Sequence, residues 1–115
     1  MRKTVSGRVQ RGSQKAASLG FPTVNIPLTD PTLSGIYAGV VRAGAAEYPA
    51  ALYADQKRAL LEAHLLDFSA DLYGSEVEME LLEKVRDDRR FDTDKMLMRA
   101  IASDVERVRA YFQNS

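Results

Sequence analysis

Cysteine is absent from the 115 residues, which excludes disulfides, thiolate metal sites and a cysteine nucleophile. There is a single histidine, His64, so no multi-histidine metal centre can be assembled. Charge of one sign is missing as well: 16 lysines and arginines balance 16 aspartates and glutamates. That balance argues against a nucleic-acid or acidic-membrane binder driven by bulk charge, and small-molecule partners are expected instead. No apolar run approaches the roughly 20 residues that span a bilayer, and Met1-Arg2-Lys3-Thr4-Val5 lacks a signal-peptide core. The expectation is a soluble cytoplasmic protein. Neither a Gly-x-x-x-x-Gly-Lys loop, nor Gly-x-Gly-x-x-Gly, nor a nucleophile elbow occurs. A chain of this length predicts one domain over residues 1–115, large enough to bury a core without staples.

What is present reads as short strands separated by turns, with one helix at the end. Residues 4–10 are the first strand candidate, ending at Arg11-Gly12-Ser13, and the small polar stretch 13–18 reads as a loop. Residues 21–26 are extended, and Pro27, Asp30, Pro31, Ser34 and Gly35 mark a long turn. Residues 36–42 are rich in β-formers, with 48–54 as the strand to return beside them. Residues 60–68 are apolar apart from Glu62, His64 and Asp67, which predicts a central strand. After a turn over 69–74, Val77, Met79 and Leu81 alternate with Glu76, Glu78 and Glu80, the pattern of a strand with one wet face. From Asp92 the spacing becomes helical: Leu97, Ile101, Val105, Val108 and Phe112 share a face. Asp92 or Thr93 can cap this helix, and Asp94 suits its positive end. Five or six strands and one amphipathic helix predict a mainly β fold, a small antiparallel barrel closed partly by the helix.

Pro22 fixes its own φ and pushes Phe21 out of helical geometry, so Thr23 and Asn25, two apart in an extended segment, project to the same side. A hydroxyl and an amide oxygen suit magnesium, which takes oxygen ligands and is often held by few protein groups plus substrate phosphates. They equally suit an ordinary turn and strand edge. Glu62 and His64 also share a face, within an apolar strand. A buried carboxylate must be paired, ligand-bound or protonated, so Glu62 reads either as a general base or as half of a salt bridge to an arginine. His64 is expected to be a hydrogen-bonded structural residue. By charge alone the run Arg86-Asp87-Asp88-Arg89-Arg90 before Phe91 is a solvated connection. Its place between the last strand and the helix lets an arginine and an aromatic reach a pocket at the barrel mouth.

Taken in order, these segments resemble the riboflavin kinase family, which also forms the C-terminal half of bacterial bifunctional FAD synthetases. Gly7-Arg8-Val9 with Gly12 resembles the family's opening strand and loop, and Leu19-Gly20-Phe21-Pro22-Thr23-Val24-Asn25 its signature Leu-Gly-Phe-Pro-Thr-Ala-Asn. Ser34-Gly35-Ile36-Tyr37-Ala38 is similar to its Gly-Val-Tyr-Ala strand. Glu62-Ala63-His64-Leu65-Leu66-Asp67-Phe68, Asp71-Leu72-Tyr73-Gly74, and Val85-Arg86 with Phe91 resemble the later blocks. The resemblance implies a six-stranded antiparallel Greek-key barrel with a C-terminal α-helix. It implies transfer of the γ-phosphate of ATP to the ribityl 5′-hydroxyl of riboflavin, giving FMN and ADP, with Mg2+ as cofactor. On that model Thr23 and Asn25 hold magnesium and nucleotide phosphates, and Glu62 orients or deprotonates the hydroxyl. Gly12, Lys15 and Gly20 are then nucleotide-binding positions, while Arg86 and Phe91 belong to a flap over the flavin. Such a reaction depends on positioning and charge neutralisation, not on a covalent nucleophile.

Two stretches depart from the family's pattern. Ser13-Gln14-Lys15-Ala16-Ala17-Ser18 stands where a Gly-Arg-rich loop is common, and Ala54-Asp55-Gln56-Lys57-Arg58 replaces an Asn-Pro-Thr-Phe-like segment in shortened form. They suggest an alternative, a non-catalytic flavin- or nucleotide-binding module on the same barrel. The FMN adenylyltransferase domain of the bifunctional synthetases is expected only as a partner outside this sequence.

Overall fold

The computed structural model describes residues 2–11, 15–68 and 71–114, with the side chains of Lys15 and Ala16 left outside that description. Six strands, β1 (Lys3–Arg8), β2 (Val24–Pro27), β3 (Gly35–Ala43), β4 (Ala46–Asp55), β5 (Leu60–Leu65) and β6 (Glu76–Arg86), accompany a helical turn α1 (Lys15–Ser18) and the long helix α2 (Asp94–Gln113). They form one antiparallel sheet in the order β1-β6-β3-β4-β5-β2. Since β3, β4 and β5 follow one another and β6 returns beside β3, this is a Greek key. The sheet curls until its edges meet: the Gln10 N–H donates to the Asn25 carbonyl at 2.9 Å, bridging the end of the first strand segment to β2. A nearly closed six-stranded barrel results.

Strand alternation divides the apolar residues into two sets. Val24, Ile26, Tyr37, Val41, Leu52, Leu61, Ala63, Met79 and Leu81 fill the barrel interior. Their alternates on β3 and β4, Ala38 and Ala51, face outward and are covered by Ile101, Val105, Val108 and Phe112 of α2, as the helical spacing predicts. Thr93 is the N-cap, its hydroxyl accepting from the Met96 N–H at 3.1 Å. Gly39 occupies a position where a Cβ would run into Leu52 and the Glu80 carbonyl. Only glycine lets β3 lie that close to its neighbours.

Three local expectations change. The stretch 13–18 is not wholly loop, because Lys15–Ser18 makes a helical turn that Gly20 stops at φ 95°, while Ser13 and Gln14 lie outside the described residues. β5 ends at Leu65 rather than Phe68, and it is flanked by β4 and the edge strand β2 instead of lying at mid-sheet. Asp67 adopts φ 53° and pairs with Arg109 of α2, which turns the chain outward and leaves Phe68 exposed against Tyr48. Glu80, expected on the wet face, is buried because Arg42 of β3 and Arg2 close over its carboxylate. The hydrogen bond from Arg42 first, then that from Arg2 and the two positive charges, hold its pKa below the usual glutamate range against the opposing effect of burial.

Candidate functional site

One row of side chains crosses the outer wall of the barrel. Antiparallel register sets Asn25 of β2 opposite Glu62 of β5, Glu62 opposite Tyr53 of β4, Tyr53 opposite Ile36 of β3, and Ile36 opposite Arg86 of β6. Opposed residues share a face, so five strands contribute to one surface. Helix α2 and the segment 87–93 enclose it as a pocket of about 470 Å³, lined by Phe21, Thr23, Ile36, Tyr53, Arg58, Glu62, His64, Arg86, Phe91, Leu97 and Ile101 among others. The expected barrel-mouth pocket is therefore misplaced. The barrel interior is packed with apolar side chains, and this cavity forms instead between the outer wall and the helix.

Glu62 is 5% exposed and makes no ion pair among the described residues. Burial raises its carboxyl pKa first, and the Asp55 carboxylate raises it further, against opposing pulls from the Arg58 charge and the Thr23 hydroxyl. No arginine among the described residues forms a salt bridge with Glu62, for a simple reason. Arg58 is claimed by Asp55, which accepts from its backbone N–H at 3.2 Å and from Nη1 at 3.1 Å. Asn25 is also buried, and its Oδ1 has no hydrogen-bond partner among the described residues. An orphaned buried carbonyl oxygen costs stability. It is the sort of atom that a ligand completes.

His64 places Nδ1 2.9 Å from the Pro22 carbonyl and meets the Phe21 ring edge-on at 5.5 Å between centroids. It thereby holds the Phe21-Pro22-Thr23 segment against β5. On the opposite wall, Arg86 Nε and Nη2 donate to Asp104 at 2.7 and 2.8 Å, and Nη1 donates to the Asp87 carbonyl at 3.0 Å. All three of its nitrogens are engaged, and its guanidinium lies 5.5 Å from the Phe91 ring centroid. The Tyr53 hydroxyl donates to Asp88 at 3.0 Å, tying the connection to the barrel wall. Burial first, then the carboxylates of Asp55, Asp88 and Glu62, push the Tyr53 phenol up and keep it protonated.

Of the residues singled out in the sequence, Thr23, Glu62, Arg86 and Phe91 meet in the pocket. Asn25 lies beside Glu62 in register, just behind the lining. Gly20 is exposed and does not line this pocket, Gly12 lies outside the described residues, and only the backbone of Lys15 is described. Tyr53 and Asp104 are additions to that set, while Asp55 and Arg58 belong to the stretch 54–58 that departs from the family's pattern. A signal existed for Asp104: it is a charge on the apolar face between Ile101 and Val108. No periodicity marks the other three, which reach the site through cross-strand register or a turn.

Residues 2–112 match the family model of riboflavin kinase, also called flavokinase. A bifunctional riboflavin kinase/FMN adenylyltransferase of Haemophilus influenzae is 36% identical over 120 residues, covering 96% of this chain and 39% of that protein. The chain spans about two-fifths of the length of the curated relatives it matches. The crystal structure of riboflavin kinase from Trypanosoma brucei superposes with a TM-score of 0.70 at 28% identity, over 97% of this chain and 80% of that one. A Streptococcus pneumoniae crystal structure described as a macrolide-efflux protein superposes with a TM-score of 0.75, also at 28% identity, over 92% of this chain and 36% of that one.

Proposed function

The chain belongs to the riboflavin kinase family, and from that premise we propose that it transfers the γ-phosphoryl group of ATP to the ribityl 5′-hydroxyl of riboflavin. The observation that carries this reading is Glu62, a buried carboxylate that makes no ion pair among the described residues and is hydrogen-bonded by the Thr23 hydroxyl at the pocket lining. A raised proton affinity suits a base that must take a hydroxyl proton. The 5′ oxygen bonds to the γ-phosphorus as that phosphorus parts from its bridging oxygen. The hydroxyl proton passes to Glu62, and the products are FMN and ADP.

Phe21, Ile36, Phe91, Leu97 and Ile101 supply apolar walls for a flat flavin ring, in a cavity of ordinary size for a ligand. Arg86 has its nitrogens committed, so its role is to hold Phe91 and the connecting segment in place as a flap rather than to grip substrate. Thr23 and Asn25 are the residues that would hold magnesium, and the unpartnered Asn25 Oδ1 fits such a ligand. Among the described residues no cluster of three or more acidic or histidine groups could hold a metal, so the remaining ligands would be water and nucleotide phosphate. Magnesium would supply charge neutralisation on the phosphate oxygens.

The riboflavin kinase model alone accounts for the part of the bifunctional relatives that this chain matches, so adenylyl transfer is assigned to a separate partner domain. Among the described residues no helix is long and apolar enough to cross a membrane; a cytoplasmic site of action remains part of the proposal. Nothing in the site favours the non-catalytic alternative. The test is incubation of the purified chain with riboflavin, ATP and magnesium, with chromatography for FMN and a chelator control. Magnesium-dependent FMN is the expected result; riboflavin binding without FMN would overturn the kinase reading in favour of a binding module.

A further inference from the structure

The shortened connection from β4 to β5, which departs from the family's pattern, is held more firmly than an ordinary surface turn. Gln56 Nε2 donates to the carbonyls of Asp30 and Leu33 at 2.7 and 2.5 Å, and the Leu28 N–H donates to the Ala59 carbonyl at 2.9 Å. Ala59 sits at φ 56°, a left-handed conformation that alanine adopts only when its surroundings impose it. These restraints fix Arg58. Its Nη1 is tethered to Asp55, which is 1% exposed and cannot swing away. Nε and Nη2 make no hydrogen bond among the described residues, and the half-exposed side chain lines the pocket with Thr23 and Glu62.

The other cations of the pocket are differently placed. Arg86 is saturated by Asp104 and Asp87, while Arg89 and Arg90 lie on the exposed connection, Arg89 over the Phe91 ring at 5.0 Å from its centroid. Among the described residues, Arg58 alone combines a fixed guanidinium with spare donors and proximity to the reacting carboxylate. The oxygen that gives its proton to Glu62 is the oxygen that receives phosphorus, so the incoming phosphoryl group lies one bond from it. A guanidinium held along one edge offers the other edge as a fork for phosphate oxygens.

We propose that Arg58, anchored by Asp55, binds the phosphoryl group as it arrives on the flavin, so that this edge of the site grips the 5′-phosphate of FMN and not the 5′-hydroxyl of riboflavin. The inference rests on the kinase reading and assigns a role to the stretch that departs from the family pattern. Asp55 has the complementary task of keeping Arg58 off Glu62, which leaves that carboxylate free to take a proton.

The test compares riboflavin and FMN binding to the full chain by flavin fluorescence, without nucleotide or magnesium, in the parent, Arg58→Met and Arg58→Lys. Losing a charge-assisted contact to phosphate should weaken FMN binding about tenfold in Arg58→Met. Riboflavin binding should stay unchanged, and Arg58→Lys should lie between for FMN. An equal FMN-to-riboflavin affinity ratio in parent and Arg58→Met overturns the inference while leaving the kinase reading intact. Failure of the parent to bind either flavin overturns both. An unchanged thermal transition in Arg58→Lys guards against a mere folding defect.

Discussion

Replacing Asp104 with leucine should cost this fold far more than a typical helix substitution. The carboxylate accepts two hydrogen bonds from Arg86, and the two side chains are only 5% and 18% exposed. Removing one partner of a buried ion pair strands the other charge, which typically costs about 3–5 kcal/mol. Arg86 keeps some solvent contact and its bond to the Asp87 carbonyl, so the lower end, about 3 kcal/mol, applies. For a domain of this size each kcal/mol shifts the melting temperature by at least about 4 °C, so a fall of roughly 12 °C is expected. The double variant Arg86→Met/Asp104→Leu removes the stranded charge and should recover at least half of the loss, since apolar replacement of a buried pair is often near neutral. Urea unfolding followed by circular dichroism, with linear extrapolation, measures all three proteins. A cost below about 1 kcal/mol for Asp104→Leu, or a double variant no more stable than the single, would refute the reasoning.

Glu62→Gln should lower turnover by about 10²–10⁴-fold, the usual worth of a general base, and unaltered turnover would remove that role. Because the folded protein raises the Glu62 carboxyl, its stabilising contribution is complete below the ordinary value of 4.5 and is lost as pH climbs through the raised one. The variant should therefore be more stable than its parent at neutral pH and lose that advantage in acid; a pH-independent difference in urea titrations would contradict this. Gly39→Ala should destabilise by about 2 kcal/mol or more, because its Cβ would have to displace both Leu52 and the β6 backbone. A parental melting curve would show that β3 and β6 have more room than the structure allows them.

Much of this was legible in the chain. Thr23, Asn25 and Glu62 could be placed on common faces because a strand repeats every two residues, and α2 could be read from the spacing of Leu97 to Phe112. Periodicity is local, and the errors arose where distant chain decides the outcome. Glu80 looks wet beside Glu76 and Glu78, and only pairing with β3 and β1 brings Arg42 and Arg2 over it. β5 looked longer because nothing in Leu66-Asp67-Phe68 announces that Asp67 will turn left-handed toward Arg109. The mouth is the common ligand site of a small barrel, and alternation, which assigns residues to two faces, does not say that the outer one carries the pocket. Tyr53 escaped for the same reason: register delivers it to Glu62, as a turn delivers Arg58.

The location of the pocket on the outer wall has a consequence for how such a domain can change. Along β2, β4 and β5, alternate residues serve different ends, with Val24, Leu52 and Leu61 holding the barrel together, Tyr53 and Glu62 facing the pocket, and Asn25 on that same face just behind its lining. Odd and even positions are thus separable variables, and substitutions in one set fall on the far side of the sheet from the other. A library confined to the outward set would vary ligand choice on a scaffold whose interior stays constant.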